Sequence, residues 1–299
     1  MVVNEETHPI INYMEIALKR SWRQVKHTTE ALAKGKETKR VQERRALGEK
    51  GRRADLLQYL LDAQDREISE GNGPTGNTVE DAKSGKLTDE AVANEAFVFL
   101  LAGSETTSNA LMWSIMYLVK NPDKLKRLRE ELDAATTSNG PGELPLDDQI
   151  RKLPYLHGVI NETLRLRPVA ATGIPRELTE DREMLGYFVP KGTTILAQIR
   201  QLHMDEAYFP KATEFIPERW ISGESPFPPV QDFTFYPFSA GTRNCVGKNF
   251  AMMEYRLVLA ALVKTYDLEY VPKQNEEFYQ FVTIALVAGK HIVKLTRRQ

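Results

Sequence analysis

The 299-residue chain contains a single cysteine, Cys245, and this scarcity excludes any disulfide within the chain. A reducing compartment is therefore the expected environment. The N-terminal stretch MVVNEETHPI is polar and acidic, unlike a secretory signal. The longest uncharged apolar run, AFVFLLAG, is too short to cross a bilayer. These features predict a cytoplasmic protein.

The chain also lacks an excess of charge of either sign, since its formal net charge is −1 at pH 7. The one strongly basic stretch, residues 34–53, holds nine basic and three acidic residues but no aromatic ones. A nucleic-acid partner is therefore not expected, because single-strand binding needs aromatic side chains among the basic ones. Two interpretations stay open: a solvated helical connector, or a docking site for an acidic partner or an anionic membrane.

Helical patterns dominate what is present. A long helix is predicted from Thr88 to Asn121, and its middle is apolar on nearly every face, which indicates a helix through the centre of a domain. The fold class is mainly α with a minor β component, because only short strand patterns follow residue 174. The predicted domains are residues 1–87, a helical region with the basic connector and a flexible loop, and residues 88–299, one continuous domain.

The lone cysteine lies in the loop PFSAGTRNCVGKNFA, which opens into a helix. A helix N-terminus and the nearby Arg243 both favour a thiolate, and Gly241 and Gly247 let backbone amides approach the sulfur. Such a thiolate is a nucleophile or a metal ligand, whereas a lone cysteine is otherwise most often a small buried hydrophobic residue. A zinc site lacks companion ligands at short spacing, and a cysteine hydrolase would need a histidine that the sequence does not identify.

The spacing Phe238-x-x-Gly241-x-Arg243-x-Cys245-x-Gly247 resembles the haem-binding loop of the cytochrome P-450 family, the haem-thiolate monooxygenases. The resemblance implies the C-terminal portion of that fold around a long central helix. It also implies haem b as the cofactor, with Cys245 as the axial thiolate and metal ligand. Arg243 is then expected to meet a haem propionate, and Phe238 to pack on the proximal side.

Two further motifs follow the same family order. AGSETT, residues 102–107, resembles the oxygen-activation motif, and an acid beside an alcohol, Glu105 and Thr106, suits proton transfer. ETLR, residues 162–165, resembles the family's Glu-x-x-Arg, whose two charged residues share one helix face. With Arg219 of FIPERW, Glu162 and Arg165 are expected to form a structural triad.

The resemblance extends to less specific positions. Arg176 is a second candidate for a haem propionate. His157 and His203 are expected at the surface, and Glu218 is expected to be an exposed bystander. The substrate pocket implied by the family is lined by Val98, Ala102, Ala171, Thr172 and Leu286.

The implied activity is insertion of one oxygen atom of O2 into a small apolar substrate, with electrons from an NADPH-dependent reductase that docks on the Cys245 face. The motifs look like the fungal or other eukaryotic microsomal branch, whose members are longer at the N-terminus. We therefore expect a chain without the N-terminal part, with weak haem retention and an exposed apolar surface on the central helix. Membrane association, at the cytosolic face of the endoplasmic reticulum, would need that missing part. The alternatives are a non-catalytic fragment and a haem-thiolate enzyme that rearranges peroxides.

Overall fold

The computed structural model describes residues 36–53, 55–74, 85–136, 145–280, 283–286 and 291–298. The helices of these residues are α1 Lys36–Ala46, α2 Leu56–Ser69, α3 Asp89–Lys120, α4 Pro122–Ala135, α5 Asp147–Ile150, α6 Pro154–Leu166, α7 Ile199–His203 and α8 Lys248–Thr265. Short 3-10 turns occupy Gly48–Gly51, Pro217–Trp220 and Gly241–Arg243. The predicted helical region before residue 36 lies outside the described residues.

The strands are short and pair antiparallel in twos. They are β1 Arg176–Glu177, β2 Arg182–Met184, β3 Tyr187–Val189, β4 Thr194–Ile195, β5 Tyr266–Tyr270, β6 Phe278–Gln280, β7 Ile284–Leu286 and β8 Val293–Arg297. The pairs are β1 with β4, β2 with β3, β5 with β8, and β6 with β7. The mainly α class with a minor β component is confirmed.

One sequence prediction about these strands is wrong. The stretch FVTIALVAGKHIVKLT, residues 281–296, predicts a β-hairpin by its sequence, but in the described residues β7 pairs with β6 and β8 pairs with β5. The alternation of apolar and polar side chains identifies a strand and its buried face. Which other strand it pairs with depends on where the rest of the chain runs. Here β5 leaves α8 directly and lies beside the returning β8, with Leu268 opposite Leu295.

The described residues divide into two compact units, a first unit that ends at Glu105 and a second unit that begins at Thr106. The division between the two units lies inside α3. Among its described residues, the first unit has a small core of Val41, Leu61, Val92 and Ala93. Thr88 caps α3, because its hydroxyl accepts the N–H of Ala91 at 3.1 Å, as its residue type predicts.

Three arginines of the basic stretch form ion pairs with other parts of the first unit. The pairs are Arg44 with Asp55, Arg45 with Asp65 and Asp89, and Arg52 with Asp62. The Arg44 guanidinium lowers the pKa of the Asp55 carboxyl through a two-point hydrogen bond. Intramolecular pairing favours the connector interpretation over docking to an acidic partner.

The second unit is built around α6, every residue of which from Tyr155 to Leu166 is buried except His157. Gly158 lets α6 pack directly against the 3-10 turn at Pro217–Trp220, since a side-chain carbon at this position would lie 2.6 Å from the carbonyl oxygen of Pro217. A buried hydroxyl chain joins three helices: Ser114 of α3 lies 2.9 Å from Thr163 of α6 and 2.6 Å from Tyr255 of α8. These contacts fix the helix that follows the cysteine loop against the centre of the unit.

The first turn of α6 is capped by a side chain from another helix. The two carboxylate oxygens of Glu131, on α4, accept the N–H groups of Tyr155 and Leu156, both at 2.8 Å. Burial raises the pKa of this carboxyl, against the effect of the two backbone hydrogen bonds. The carboxylate therefore takes the place of an N-cap residue and also faces the positive end of the helix dipole.

We predict that Glu131→Gln lowers the free energy of unfolding by about 1 to 2 kcal/mol, because the amide leaves one backbone donor without an acceptor and removes the charge. Urea unfolding followed by tryptophan fluorescence measures this. Glu130→Gln is the matched control, since Glu130 is exposed and forms an ion pair with Lys126 at 3.8 Å on the surface of the same helix. Equal effects of the two substitutions would contradict a capping role for Glu131.

Candidate functional site

The cysteine loop presents its thiol to solvent at the start of an 18-residue helix. Cys245 is a free, exposed cysteine two residues before Gly247, which is the N-cap of α8. A side-chain carbon at Gly247 would lie 3.9 Å from the Cys245 sulfur, so the glycine leaves space beside it. Gly241 has a φ of +74°, which a residue with a side chain rarely adopts, and it opens the 3-10 turn that carries Arg243.

The loop is closed by backbone hydrogen bonds. The N–H of Cys245 donates to the carbonyl of Phe238 at 2.9 Å, and the N–H of Lys248 donates to the carbonyl of Cys245 at 3.3 Å. Phe238 is half-buried and Arg243 is exposed. The predicted loop residues are therefore brought together, with the sulfur held by the backbone and not by packing.

The predicted triad meets at one buried carboxylate. Both oxygens of Glu162 accept hydrogen bonds from Arg165, at 2.8 and 2.9 Å, and Nε of Arg219 lies 3.5 Å from Oε2. The side chains of Glu162 and Arg165 have no exposed surface. Burial lowers the pKa of Arg219, and the Glu162 charge opposes that shift.

The sequence did not reveal two further partners of this carboxylate. The indole N–H of Trp220 donates to Glu162 at 2.9 Å, and the backbone N–H of Ile216 donates at 3.0 Å. Trp220 directly follows Arg219 in FIPERW, which is the signal that could have identified it. Arg165 in turn donates to three backbone carbonyls, those of His203, Ala212 and Glu214.

His203 connects this network with the cysteine loop. Its carbonyl accepts from Arg165 at 2.9 Å, and its Nε2 accepts the N–H of Tyr236 at 3.2 Å. The carbonyl of Tyr236 accepts the N–H of Ser239 at 2.9 Å, at the start of the loop. The prediction of a surface position for His203 is wrong, because the residue is fully buried. Burial, with a further contribution from the Arg165 charge, lowers the pKa of His203 to about 4.

Glu218 also differs from its predicted role. Its carboxylate lies 3.4 Å from Arg127 and 3.6 Å from Lys124, and it accepts the hydroxyl of Tyr155 at 3.2 Å. Glu218 is thus a paired residue that joins the 3-10 turn at 217–220 to α4 and α6. His157, by contrast, is exposed as expected.

The remaining predicted residues are more scattered. Glu105 and Thr106 are half-buried neighbours on α3, and Arg176 is exposed on β1. Of the pocket candidates on α3, Val98 is 54% exposed and Ala102 is exposed. The other candidates take three different positions: Ala171 is buried in an apolar cluster with Trp113 and Ile284, Thr172 is half-buried, and Leu286 is in β7 opposite Phe278.

The chemistry of the loop fits a haem group. A thiolate is a suitable axial ligand for haem iron, and an exposed arginine fork suits a propionate carboxylate. Two apolar side chains that follow the cysteine within five residues are also exposed, Val246 at 83% and Phe250 at 63%, and could contact the face of a porphyrin. Within the described part of the chain, no helix is long and apolar enough to span a bilayer.

Residues 2–295 match the family model "Cytochrome P450", and the chain belongs to this family. It is 37% identical over 250 residues to the cytochrome P450 monooxygenase acrD of Aspergillus aculeatus, covering 82% of this chain and 46% of that protein. The cytochrome P450 monooxygenase mpsF of Macrophomina phaseolina is 37% identical over 87% of this chain and 60% of its own length. Cytochrome P450 3A29 of Sus scrofa is 34% identical over 78% of this chain and 43% of that protein.

The fold agrees with a solved structure. A crystal structure of a cytochrome P450, CYP102L1, superposes with a TM-score of 0.73 at 26% identity, covering 99% of this chain and 62% of that one. The predicted family and the predicted C-terminal portion of its fold are thus confirmed, and the relatives named above are fungal and mammalian. The family implies a haem cofactor, a redox partner and an organic substrate. The chain spans about half the length of the curated relatives it matches.

Proposed function

We propose that this chain is a haem-thiolate monooxygenase that inserts one oxygen atom of O2 into a small apolar organic substrate. The observation that carries the proposal is the Cys245 loop. It presents a free, exposed thiol at the N-terminus of α8, and its backbone is connected through His203 to the buried Glu162 network. The positive end of α8 favours a negative charge on the sulfur.

The residues of the loop have separate tasks in holding haem b. Cys245 would hold the iron through its sulfur, Arg243 and Arg176 would each pair with a propionate, and Phe238 would pack on the proximal side. When bound, haem supplies the activation of O2, and a thiolate ligand favours O–O cleavage. Gly241 would allow the positive φ that the loop requires, and Gly247 would leave space beside the Cys245 sulfur.

Proton delivery is assigned to α3. Glu105 and Thr106 are consecutive, so an ionisable carboxyl and a hydroxyl stand together in a helix that is otherwise largely apolar. Thr106 would hold a proton at its hydroxyl oxygen, and Glu105 would replace it from solvent. The apolar side chains of the same helix, with Val98 and Ala102 among them, suit an apolar substrate.

Electrons would come from an NADPH-dependent reductase that docks on the face carrying Cys245. The exposed Lys248, at the first position of α8, is a candidate contact for an acidic surface on that reductase. Docking of such a reductase would place the protein in the cytoplasm or at the cytosolic face of the endoplasmic reticulum membrane.

The test is the absorption spectrum of the haem-reconstituted chain after reduction and addition of carbon monoxide. We expect a strongly red-shifted Soret band, which reports thiolate ligation, and complete loss of that band in Cys245→Ser. Asn244→Ser is the matched control, because it changes an exposed neighbour that offers no sulfur. A Soret band at the imidazole-type position, or an unchanged band in Cys245→Ser, would refute the thiolate.

Two further measurements separate the alternatives. Stoichiometric haem together with reductase-dependent oxygen uptake supports the monooxygenase, whereas haem without such uptake would favour a peroxide-rearranging enzyme. A chain that retains little haem would match a non-catalytic fragment. The exposed apolar side chains of Val98 and Leu100 on α3 support the expectation of weak haem retention in that alternative.

A further inference from the structure

A cavity of about 610 Å³ opens within the second unit, and no residue of the Cys245 loop lines it. Its walls come from the end of α3, the end of α6, the region around α7 and the segment leading into β6. The cavity combines aromatic surface, from Tyr117 and Phe278, with two guanidinium groups, those of Arg167 and Arg200. Cavities of this size accommodate small organic molecules.

Arg167 lies against three aromatic rings and is largely removed from solvent. Its guanidinium carbon is 4.3 Å from the ring centre of Phe278, 4.9 Å from Trp113 and 5.9 Å from Tyr117. One terminal nitrogen donates to the carbonyl of Leu166 at 3.0 Å. Its Nε is buried and has no hydrogen-bond partner among the described residues. The rings attract the positive charge of the guanidinium but offer no oxygen acceptor for its N–H groups.

Arg200 brings a second positive charge to the same cavity. Its guanidinium carbon lies 5.3 Å from the ring centre of Phe278, and its Nε is also buried without a partner in the described part of the chain. Burial lowers the pKa of Arg167, and the Arg200 charge lowers it further. Both guanidinium groups lie against the ring of Phe278, and their like charges repel each other.

The acidic residues of the cavity do not offset this repulsion. Glu276 is paired with Lys120, and Glu277 accepts a hydrogen bond from Asn275 at 3.4 Å. Across the described ranges, no carboxylate lies within the 4.0 Å of an ion pair from Arg167 or Arg200. Two partly buried cations that lie close together without a counter-ion among the described residues repel each other, and an anion between them would lower that cost.

We infer that this cavity binds a small organic anion, with a carboxylate or phosphate monoester group held by Arg167 and Arg200 and an apolar body against Tyr117 and Phe278. Guanidinium groups match both oxyanions because their N–H donors form a planar fork. The two aromatic rings supply the contact for an apolar body. The site is separate from the cysteine loop and does not depend on haem.

The test uses the full chain and three probes in calorimetric titrations: 3-phenylpropionate, phenyl phosphate and the uncharged 3-phenylpropan-1-ol. We expect at least one acid to bind at least ~10-fold more tightly than the alcohol, because a charge-assisted hydrogen bond corresponds to roughly that factor or more. The ratio between the two acids shows which oxyanion the site prefers. Arg167→Gln and Arg200→Gln should each weaken the preferred acid by ~10-fold or more.

Arg297→Gln is the matched control, because it removes the same charge from an exposed residue of β8 that does not line the cavity. Circular dichroism establishes that each variant is folded. If Arg167→Gln does not fold, Arg200→Gln and the acid-to-alcohol ratio of the unchanged chain decide. Equal binding of the alcohol and the acids, an unaltered affinity in Arg200→Gln, or no binding of either acid at millimolar concentration would overturn the proposal.

Discussion

Glu162→Gln is expected to lower the free energy of unfolding of the second unit by about 3 to 5 kcal/mol, the cost of removing one partner from a buried ion pair. The amide has nearly the same shape as the carboxylate, so no cavity forms. The change in the free energy of unfolding therefore measures the loss of charge and hydrogen bonds. The substitution leaves Arg165 without its counter-ion and deprives Arg219 of the only carboxylate within 4.0 Å among the described residues. One of the donors from Trp220 or Arg165 also meets an N–H group in place of an oxygen.

Urea unfolding followed by tryptophan fluorescence measures the loss, since Trp220 is bonded directly to the carboxylate. Glu180→Gln is the matched control: Glu180 pairs with Arg182 at the surface, where an ion pair contributes about 0 to 1 kcal/mol. A loss in Glu162→Gln no larger than in the control would show that the network does not hold this unit together.

The network also explains how a surface loop acquires a defined position. Cys245 itself makes few contacts, and its sulfur is exposed. The bonds from Arg165 to His203, from Tyr236 to His203 and from Ser239 to Tyr236 extend the buried charges to the start of the loop. A functional thiol can therefore stay accessible while rigid structure beneath it determines where it lies.

Much of this arrangement could be predicted from the sequence, and for local reasons. Thr88 as a cap, Pro122 as the first residue of α4 and the i, i+3 pair of Glu162 and Arg165 all depend on neighbours within one turn. The cysteine loop is recognisable because its glycines and its arginine are close together in the chain. Features of this kind depend on residues that are close together in the sequence, so they can be predicted without knowing the tertiary contacts.

The features that sequence reasoning missed depend on distant segments. His203 is buried because Phe209, Phe235 and Tyr236 surround its ring, from positions up to 33 residues away. Glu218 is paired with a helix about 90 residues earlier in the chain. The partners of β7 and β8 were missed for the same reason, since strand pairing is settled by the path of the whole chain.

His203 gives the second large effect, a loss of stability in mild acid. Its pKa is lowered to about 4 in the folded chain, against about 6.5 when unfolded, because the ring is buried and lies near the Arg165 charge. Between pH 6.5 and 4 the unfolded state therefore binds a proton that the folded state does not. The stability contributed by neutral His203 is fully present above pH 6.5 and falls by about 3 kcal/mol as the pH drops to 4.

Urea unfolding at half-unit steps from pH 7 to pH 4 measures this slope, and His203→Gln is expected to remove most of it whatever its effect at pH 7. His157→Gln is the comparison variant: partial burial of its ring lowers the pKa of His157 as well, so it should remove a smaller part of the slope than His203→Gln does. Carboxylates titrate in the lower half of the same window in both variants, so the difference between the two slopes reports how much more His203 contributes than His157. Identical slopes in both variants would mean that the His203 ring binds its proton as readily in the folded chain as in the unfolded one. The hydrogen bonds that connect Arg165 with Tyr236 through His203 would then not require a neutral imidazole.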